Sequence, residues 1–244
     1  MTLTKYAAFF FISFLGVMAN AGDYTLKTAE IPPYSSKNEA SSGLILDLIE
    51  EMFKRAKLDL DVEFHPWARS QKIVIQAKQE QKLLASPLTR TPEREPHYDW
   101  IIPLYQYQLQ FVTNDITIPI KSLESLRKIS SICVLRETPA EYKLKSLGFT
   151  NIHNMVNEVK CMKMLNLKRV QAVLVHGRIM GNYNYRIIGA NPEELIYGYN
   201  SGANTIYLGS TKGVMPISDK IKLEAALQSI KSDGTYDKII SRYL

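Results

Sequence analysis

Short apolar segments with the period of strands alternate with amphipathic segments of helical period along this chain, and the alternation starts twice. In the first run, residues 24–29, 60–64 and 83–86 are predicted strands, and residues 43–56 and 68–78 are predicted helices. In the first of these helices, apolar residues fall on one side and charged residues on the opposite side. Strands that alternate with helices are typical of an α/β domain with a largely parallel sheet.

The second run follows a strand-like connection, and two helical segments close the chain. Its predicted elements are strands at 105–113, 132–135, 170–175 and 205–208 and helices at 139–147, 157–167, 219–231 and 236–243. Two α/β units with strand-like links predict two lobes joined by a hinge.

The first 21 residues have the pattern of a cleavable export signal. Lys5 precedes an apolar run at 6–18, and the small-x-small triplet ending at Ala21 follows it. The run is short for a membrane span, and no cysteine lies at the predicted cut to carry a lipid. We therefore expect a soluble protein exported to the periplasm.

Cys133 and Cys161 are the only cysteines of the chain. In an oxidising compartment such a pair is read first as a disulfide, with two free buried thiols as the alternative. The four histidines are scattered without metal-ligand spacing, so we expect neither a metal site nor a cofactor.

The net charge of +6 is mild, and basic residues are interspersed with acidic ones. Nucleic-acid binding needs a clustered basic face, so this class of function is disfavoured. An anionic ligand is compatible with the charge, although net charge does not identify a site.

Four motifs occur in order along the chain, and together they carry a resemblance. They are PPY at 32–34 followed by GLILDL at 43–48, TRTPER at 89–94 followed by YDW at 98–100, VLRET at 134–138, and DGTYDKI at 233–239. This sequence resembles the family 3 extracellular solute-binding proteins, whose best-known members bind amino acids in the periplasm.

The resemblance implies a two-lobed periplasmic-binding-protein-like fold of type II, with lobes joined by a two-strand hinge. Lobe 1 would comprise 22–110 and 208–244, and lobe 2 would comprise 111–207. The implied function is capture of a small polar, carboxylate-bearing molecule between the lobes without catalysis. The implied protein is a monomer whose partner is an ABC-type permease or a membrane sensor.

The resemblance also implies roles for individual residues. Arg94 corresponds to the arginine that clamps the ligand carboxylate, because a guanidinium offers two parallel charge-assisted hydrogen bonds; pairing with the neighbouring glutamates is the alternative. Thr89 and Thr138 would complete the anion pocket, and Thr138 also suits a helix N-cap. Tyr34 corresponds to the aromatic residue that covers the apolar part of the ligand.

A subgroup of these proteins has a PWxR motif, which is similar to PWAR at 66–69. Trp67 would form a second aromatic wall or pack in the core. Arg69 would be a second cation in the cleft or a solvated helix residue, and the sequence leaves both alternatives open.

His176 departs from the pattern of the family. Members that bind amino acids usually end this strand with an aspartate that pairs with the ligand ammonium, and an imidazole is a poor substitute. If His176 lines the cleft, we expect a ligand without an α-amine; a histidine turned away from the cleft is the alternative. The competing function is a lyase similar to cyclohexadienyl dehydratase, for which His176 is the one candidate acid or base.

Overall fold

One mixed sheet runs through the molecule. The computed structural model describes residues 23–38 and 42–244, so the predicted signal at 1–21 lies outside the described residues. The described part of the chain contributes eight strands to the sheet, which are β1 (Tyr24–Thr28), β2 (Leu60–Phe64), β3 (Leu83–Thr89), β4 (Asp99–Thr113), β5 (Ile132–Leu135), β6 (Ile152–Met155), β7 (Ala172–His176) and β8 (Ile196–Ser210). Their order across the sheet is β2-β1-β3-β8-β4-β7-β5-β6.

Helices cover the sheet. Within the described residues they are α1 (Leu44–Ala56), α2 (Trp67–Gln76), α3 (Leu123–Leu126), α4 (Pro139–Ser146), α5 (Glu158–Asn166), α6 (Arg178–Ile187), α7 (Ile217–Ser232) and α8 (Thr235–Ser241). Short 3₁₀ turns occur at Gln79–Gln81 and Pro192–Glu194.

The sheet has two parallel ends and an antiparallel middle. β1 pairs in parallel with β2 and β3, and β5 pairs in parallel with β6 and β7. Between these ends, β4 and β8 pair antiparallel with each other along both strands. The fold is therefore α/β and two-lobed, with lobe 1 around β1–β3, lobe 2 around β5–β7 and two crossing strands as the hinge.

The predicted boundaries at 110/111 and 207/208 fall inside β4 and β8, which continue through both of them. Because no break in either strand marks where one lobe ends, these boundaries stay a prediction. The C-terminal helices α7 and α8 do pack on α1. Tyr243 donates to Asp47 at 2.8 Å, and Arg55 forms an ion pair with Asp233 at 2.6 Å.

The buried side of α1 explains why this helix forms at its place. Its buried side chains include Leu48, Ile49 and Met52, which join the main core cluster. The helix starts after Gly43, whose φ of +104° is unfavourable for other residues. A Cβ at this position would also lie 2.7 Å from the backbone of Tyr34. Gly43 therefore lets the loop that carries Tyr34 pack against the start of α1.

Cys133 and Cys161 form the predicted disulfide, with Cα atoms 5.4 Å apart. Cys133 lies on β5 and Cys161 on α5, and both are fully buried. The bridge therefore ties a helix of lobe 2 to a central strand of the same lobe.

Three elements of lobe 2 have no counterpart among the predicted segments, namely the short helix α3, the strand β6 and the helix α6. Among residues 23–38 and 42–244, no helix has the length and apolar character that crossing a bilayer requires. The same residues contain no group of three or more His, Cys, Asp and Glu side chains that could hold a metal ion.

Candidate functional site

A cleft between the two lobes contains two adjoining cavities. The inner cavity has a volume of about 40 Å³, and its lining includes Tyr34, Thr89, Arg94, Tyr107, Thr138 and His176. The outer cavity has a volume of about 540 Å³, within the usual range for small-molecule sites, and its lining includes Phe64, His65, Trp67, Arg136, Glu158 and Asn184. Four residues, Ile31, Trp67, Leu135 and Met180, line both cavities. The two cavities therefore share part of their walls.

Arg94 lies in the loop between β3 and β4 and is almost completely buried, at 7% exposure. Its Nη1 donates to the carbonyl oxygen of Thr89 at 2.9 Å, and its Nη2 donates to the carbonyl oxygen of Glu137 at 3.3 Å. Burial lowers the pKa of Arg94 from its usual value. In the described part of the chain, Arg94 forms no ion pair with a carboxylate.

Arg90, in the same loop, forms an ion pair with the carboxylate of Glu95. It bonds Glu95 through two nitrogens, at 2.8 and 2.5 Å. It also lies over the ring of Trp100, 5.5 Å from the centroid. The loop therefore separates one exposed, paired arginine from one buried arginine without a counterion.

Thr89 and Thr138 lie at opposite walls of the inner cavity. The hydroxyl of Thr89, at the end of β3, lies 3.0 Å from the hydroxyl of Tyr107. Thr138 is the N-cap residue of α4, but its hydroxyl donates to the carbonyl oxygen of Leu135 at 2.6 Å and accepts no bond from the helix. The first N–H groups of α4 are therefore not capped by this side chain.

Tyr34 is buried in the inner cavity, at 2% exposure. Its ring packs 6.0 Å from that of Tyr105 and 6.4 Å from that of Tyr107, and its hydroxyl donates to the carbonyl oxygen of His176. Burial raises the pKa of this hydroxyl well above its usual value. A Cβ at Gly177, where φ is +101°, would lie 3.1 Å from the same hydroxyl. Tyr34 thus packs closely against lobe 2 where β7 ends.

Trp67 and Arg69, both in the PWAR segment, differ in their position relative to the cleft. Trp67, the first residue of α2, lines both cavities and also packs against the small core cluster around Val74. Both interpretations of Trp67 are therefore compatible with its position. Arg69 is exposed on α2 and lines neither cavity, so it is the candidate that the fold does not bring to the cleft.

His176 ends β7, is buried and lines the inner cavity. Its Nδ1 lies 3.0 Å from Oε2 of Glu158, and its ring packs 5.9 Å from that of Tyr107. A carboxylate, that of Glu158, is therefore buried beside His176 in the lining of the outer cavity, and the expectation of a ligand without an α-amine stays a prediction.

Glu158, Tyr107 and Asn184 are cleft residues that the sequence reasoning missed. Glu158 is the first residue of α5, and an acidic residue in a first helical turn is ordinary because it complements the helix dipole. Asn184 lies on the buried side of α6, where a polar residue gives no periodic signal. Three buried atoms here have no hydrogen-bond partner within the described structure, and they are Oε1 of Glu158, Nε2 of His176 and Oδ1 of Asn184.

Comparisons with known proteins agree with this architecture. The sequence profile of bacterial extracellular solute-binding proteins, family 3, matches residues 26–244. A search of curated protein sequences found no match.

Solved structures are similar over nearly the whole chain. The GluR0 ligand-binding core from Nostoc punctiforme in complex with L-glutamate has a TM-score of 0.75 and 17% identity, covering 91% of this chain and 99% of that one. The arginine-, lysine-, histidine-binding protein ArtJ from Geobacillus stearothermophilus has a TM-score of 0.74 and 18% identity, covering 91% and 94%. The ancestral amino acid-binding protein AncCDT-1, a precursor of cyclohexadienyl dehydratase, has a TM-score of 0.74 and 18% identity, covering 90% and 94%. At these identities the likeness concerns the fold.

Proposed function

Because this chain belongs to the family 3 bacterial extracellular solute-binding proteins, we propose that it captures a small polar, carboxylate-bearing ligand between its two lobes. The capture would take place in the periplasm after export and would serve ABC-type uptake or signalling through a membrane partner. The family is one of binding proteins, and two of the similar structures described above are named for amino acids that they bind.

The observation that carries the proposal is the buried charge of Arg94, which has no carboxylate partner among the residues that the structure describes. An arginine keeps its charge in proteins, and a buried charge without a counterion is costly. Its two described partners, the carbonyl oxygens of Thr89 and Glu137, are neutral. A ligand carboxylate would supply the missing negative charge and suit the planar guanidinium.

The surrounding groups support the same ligand end. Thr89 and Thr138 bring hydroxyls to the inner cavity, and the start of α4 beside Thr138 offers N–H groups to an anion. Tyr34 and Trp67 would cover the apolar part of the ligand.

Function would follow from closure of the lobes. Arg94 donates across the cleft to the main chain of Glu137, and Tyr34 donates across it to the main chain of His176. A ligand held by both walls favours the closed arrangement, because only that arrangement gives it both sets of contacts. The membrane partner would then distinguish the closed form from the open one.

A dehydratase-like lyase is the second candidate, and the contact between His176 and Glu158 is the observation that favours it. A buried histidine bonded to a carboxylate is a common arrangement for a proton-transferring group. Binding and catalysis differ in the fate of the ligand. A ligand recovered chemically unchanged after prolonged incubation, as seen by NMR, supports binding, whereas a dehydrated product supports the lyase.

A thermal-shift screen followed by calorimetry tests the proposed function. Small carboxylic acids should be compared with their neutral primary amides on the wild type and on Arg94→Lys. We expect acids to bind, amides to bind much more weakly, and Arg94→Lys to weaken the acids by roughly tenfold or more, since lysine lacks the two-pronged geometry. Amides that bind as tightly as their acids would refute a carboxylate-binding site.

A further inference from the structure

We propose that Tyr107 restricts the inner cavity to planar carboxylates and excludes tetrahedral acid groups such as sulfonates and phosphonates. This inference rests on the proposed function, because it concerns the end of the ligand that Arg94 would bind. It assigns a specificity role to a residue of the hinge strand β4 that lies outside the motifs of the sequence.

Tyr107 lies where the hinge meets the cleft. It is paired with Asn204 of β8, the other hinge strand. Two positions further along β4, Leu109 is paired with His176 at the end of β7. The side chain of Tyr107 is buried and lines the inner cavity. A strand that connects the lobes therefore supplies part of the wall of this cavity.

Contacts on several sides hold the ring of Tyr107. Its centroid lies 6.4 Å from that of the Tyr34 ring and 5.9 Å from that of the His176 ring. A Cβ at Gly177 would lie 3.2 Å from the Cβ of Tyr107, so the absence of a side chain there gives the tyrosine its room. The hydroxyl of Tyr107 is bonded to that of Thr89. A ring held in this way has little freedom to turn aside for a larger ligand group.

The space that remains beside this ring is small. The inner cavity has a volume of about 40 Å³. A water-sized group needs roughly 10–15 Å³ of cavity, so about three such groups fit. A carboxylate is planar and has three heavy atoms, whereas a sulfonate has four, arranged as a tetrahedron around sulfur. Both carry one negative charge, so the size of the cavity separates them where charge does not.

The hydroxyl of Tyr107 also directs a hydrogen bond toward the anion. It lies 3.0 Å from the hydroxyl of Thr89, and each hydroxyl has one proton to donate. Burial raises the pKa of Tyr107, so this residue keeps its proton at neutral pH. When Tyr107 donates to Thr89, the proton of Thr89 is free to point at an anion, and the two bonds strengthen each other. Tyr107 thus acts on a bound carboxylate through Thr89.

Pairs of acids with the same carbon chain test the size limit. Calorimetry on the purified protein should compare the deaminated acids of the common L-amino acids with the matching sulfonic acids. The amino acids themselves should be compared with their 1-aminoalkylphosphonic acids. We expect each carboxylic acid that binds to do so tenfold or more tightly than its tetrahedral counterpart. Tyr107→Leu, which removes the ring, should reduce this preference by tenfold or more.

The hydroxyl has a separate test. Tyr107→Phe keeps the ring, so it should keep the preference while weakening the carboxylic acids roughly two- to tenfold, the range of one hydrogen bond. In a Thr89→Val background, Tyr107→Phe should have no further effect, because the hydroxyl acts through Thr89. The same two changes at Tyr105, two residues before Tyr107 on β4 and outside both cavity linings, should leave affinity and preference intact.

The outcomes separate the two proposals. A tetrahedral acid that binds the wild type as tightly as its carboxylic counterpart would overturn the role of Tyr107 and leave the carboxylate site standing. A preference that survives in a folded Tyr107→Leu variant would do the same. If that variant does not fold, the wild-type comparison and the Tyr107→Phe pair still decide. Primary amides that bind as tightly as their acids, or no binding by any carboxylic acid, would overturn the carboxylate site and this inference with it.

Discussion

The two walls of the cleft bury opposite charges, and the two charges differ in their hydrogen-bond partners. On the lobe 1 wall, the guanidinium of Arg94 has only main-chain carbonyl oxygens as described partners. On the lobe 2 wall, the carboxylate of Glu158 has a titratable side chain, His176, as its partner. The lobe 1 wall is therefore the more dependent on a ligand for charge compensation. On the lobe 2 wall, one oxygen of the buried carboxylate already has a side-chain partner.

The largest effect on ligand affinity is expected from a substitution of Arg94 on the lobe 1 wall. Arg94→Ala should weaken ligand binding by about 2–5 kcal/mol, because it leaves a ligand carboxylate buried without a charged partner. Calorimetry with any acid identified in the screen measures the loss. Arg90→Ala is the matched control, since Arg90 lies in the same loop but is paired with Glu95 and lines neither cavity. Equal affinity of a folded Arg94→Ala variant and the wild type would show that the two walls do not differ in this way.

The next effect concerns the support of the lobe 2 wall. The disulfide joins β5, which leads to Thr138, to α5, which begins with Glu158. Its removal by Cys133→Ala with Cys161→Ala should lower the free energy of unfolding by about 2–4 kcal/mol. Urea unfolding of the wild type and of the double variant measures the difference.

The oxidation state needs its own control. Thiol labelling of the denatured, unreduced wild type should find no free cysteine. Two labelled cysteines would contradict the bridge and the support that we assign to it.

A smaller effect is expected at the hydroxyl of Thr138. Thr138→Val removes an oxygen that lines the inner cavity and donates to Leu135. Affinity for an acid should fall by about 0.5–1.5 kcal/mol, the usual contribution of one hydrogen bond. Thr138→Ser retains the hydroxyl and should bind like the wild type. A loss in Thr138→Ser without a loss in Thr138→Val would instead point to packing of the methyl group, which valine keeps and serine lacks.

The smallest effect is expected at Arg69. This side chain is exposed on α2 and lies outside both cavity linings, so Arg69→Ala should change affinity and stability by less than about 0.5 kcal/mol. A large loss of acid binding would mean that the cleft contains a second cation. The lobe 1 wall would then carry two positive charges against the one carboxylate of the lobe 2 wall.

Most of the fold could be predicted because apolar period and length specify most elements of the two α/β units. The strands at 60–64 and 132–135 agree with the structure to the residue, and the α/β, two-lobed class is confirmed. The long strands β4 and β8 were predicted only in part. In β8 the missed residues 196–204 have little apolar alternation and include two glycines. In β4 the missed residues are 99–104, which include a proline at 103.

Two of the missed elements, β6 and α6, lack a periodic apolar pattern for physical reasons. β6 is an edge strand whose central residues, His153 and Asn154, are exposed. α6 buries Gly181 and Asn184 among its apolar residues, which interrupts the helical apolar stripe.

The site was less predictable than the fold. The resemblance to a family pointed to Arg94, Thr89, Thr138, Tyr34 and His176, and all five line the same inner cavity. Their roles in binding stay predictions. The partnership of Glu158 with His176 links residues 18 positions apart on different elements, and no local pattern announces it.

The cross-cleft bonds of Arg94 and Tyr34 both end on main-chain oxygens, those of residues 137 and 176. A carbonyl oxygen is present whatever side chain its residue carries. The side chains at these two positions can therefore change during evolution while the bonds that join the lobes persist. A protein built in this way can exchange side chains on one wall and keep the bonds between its lobes.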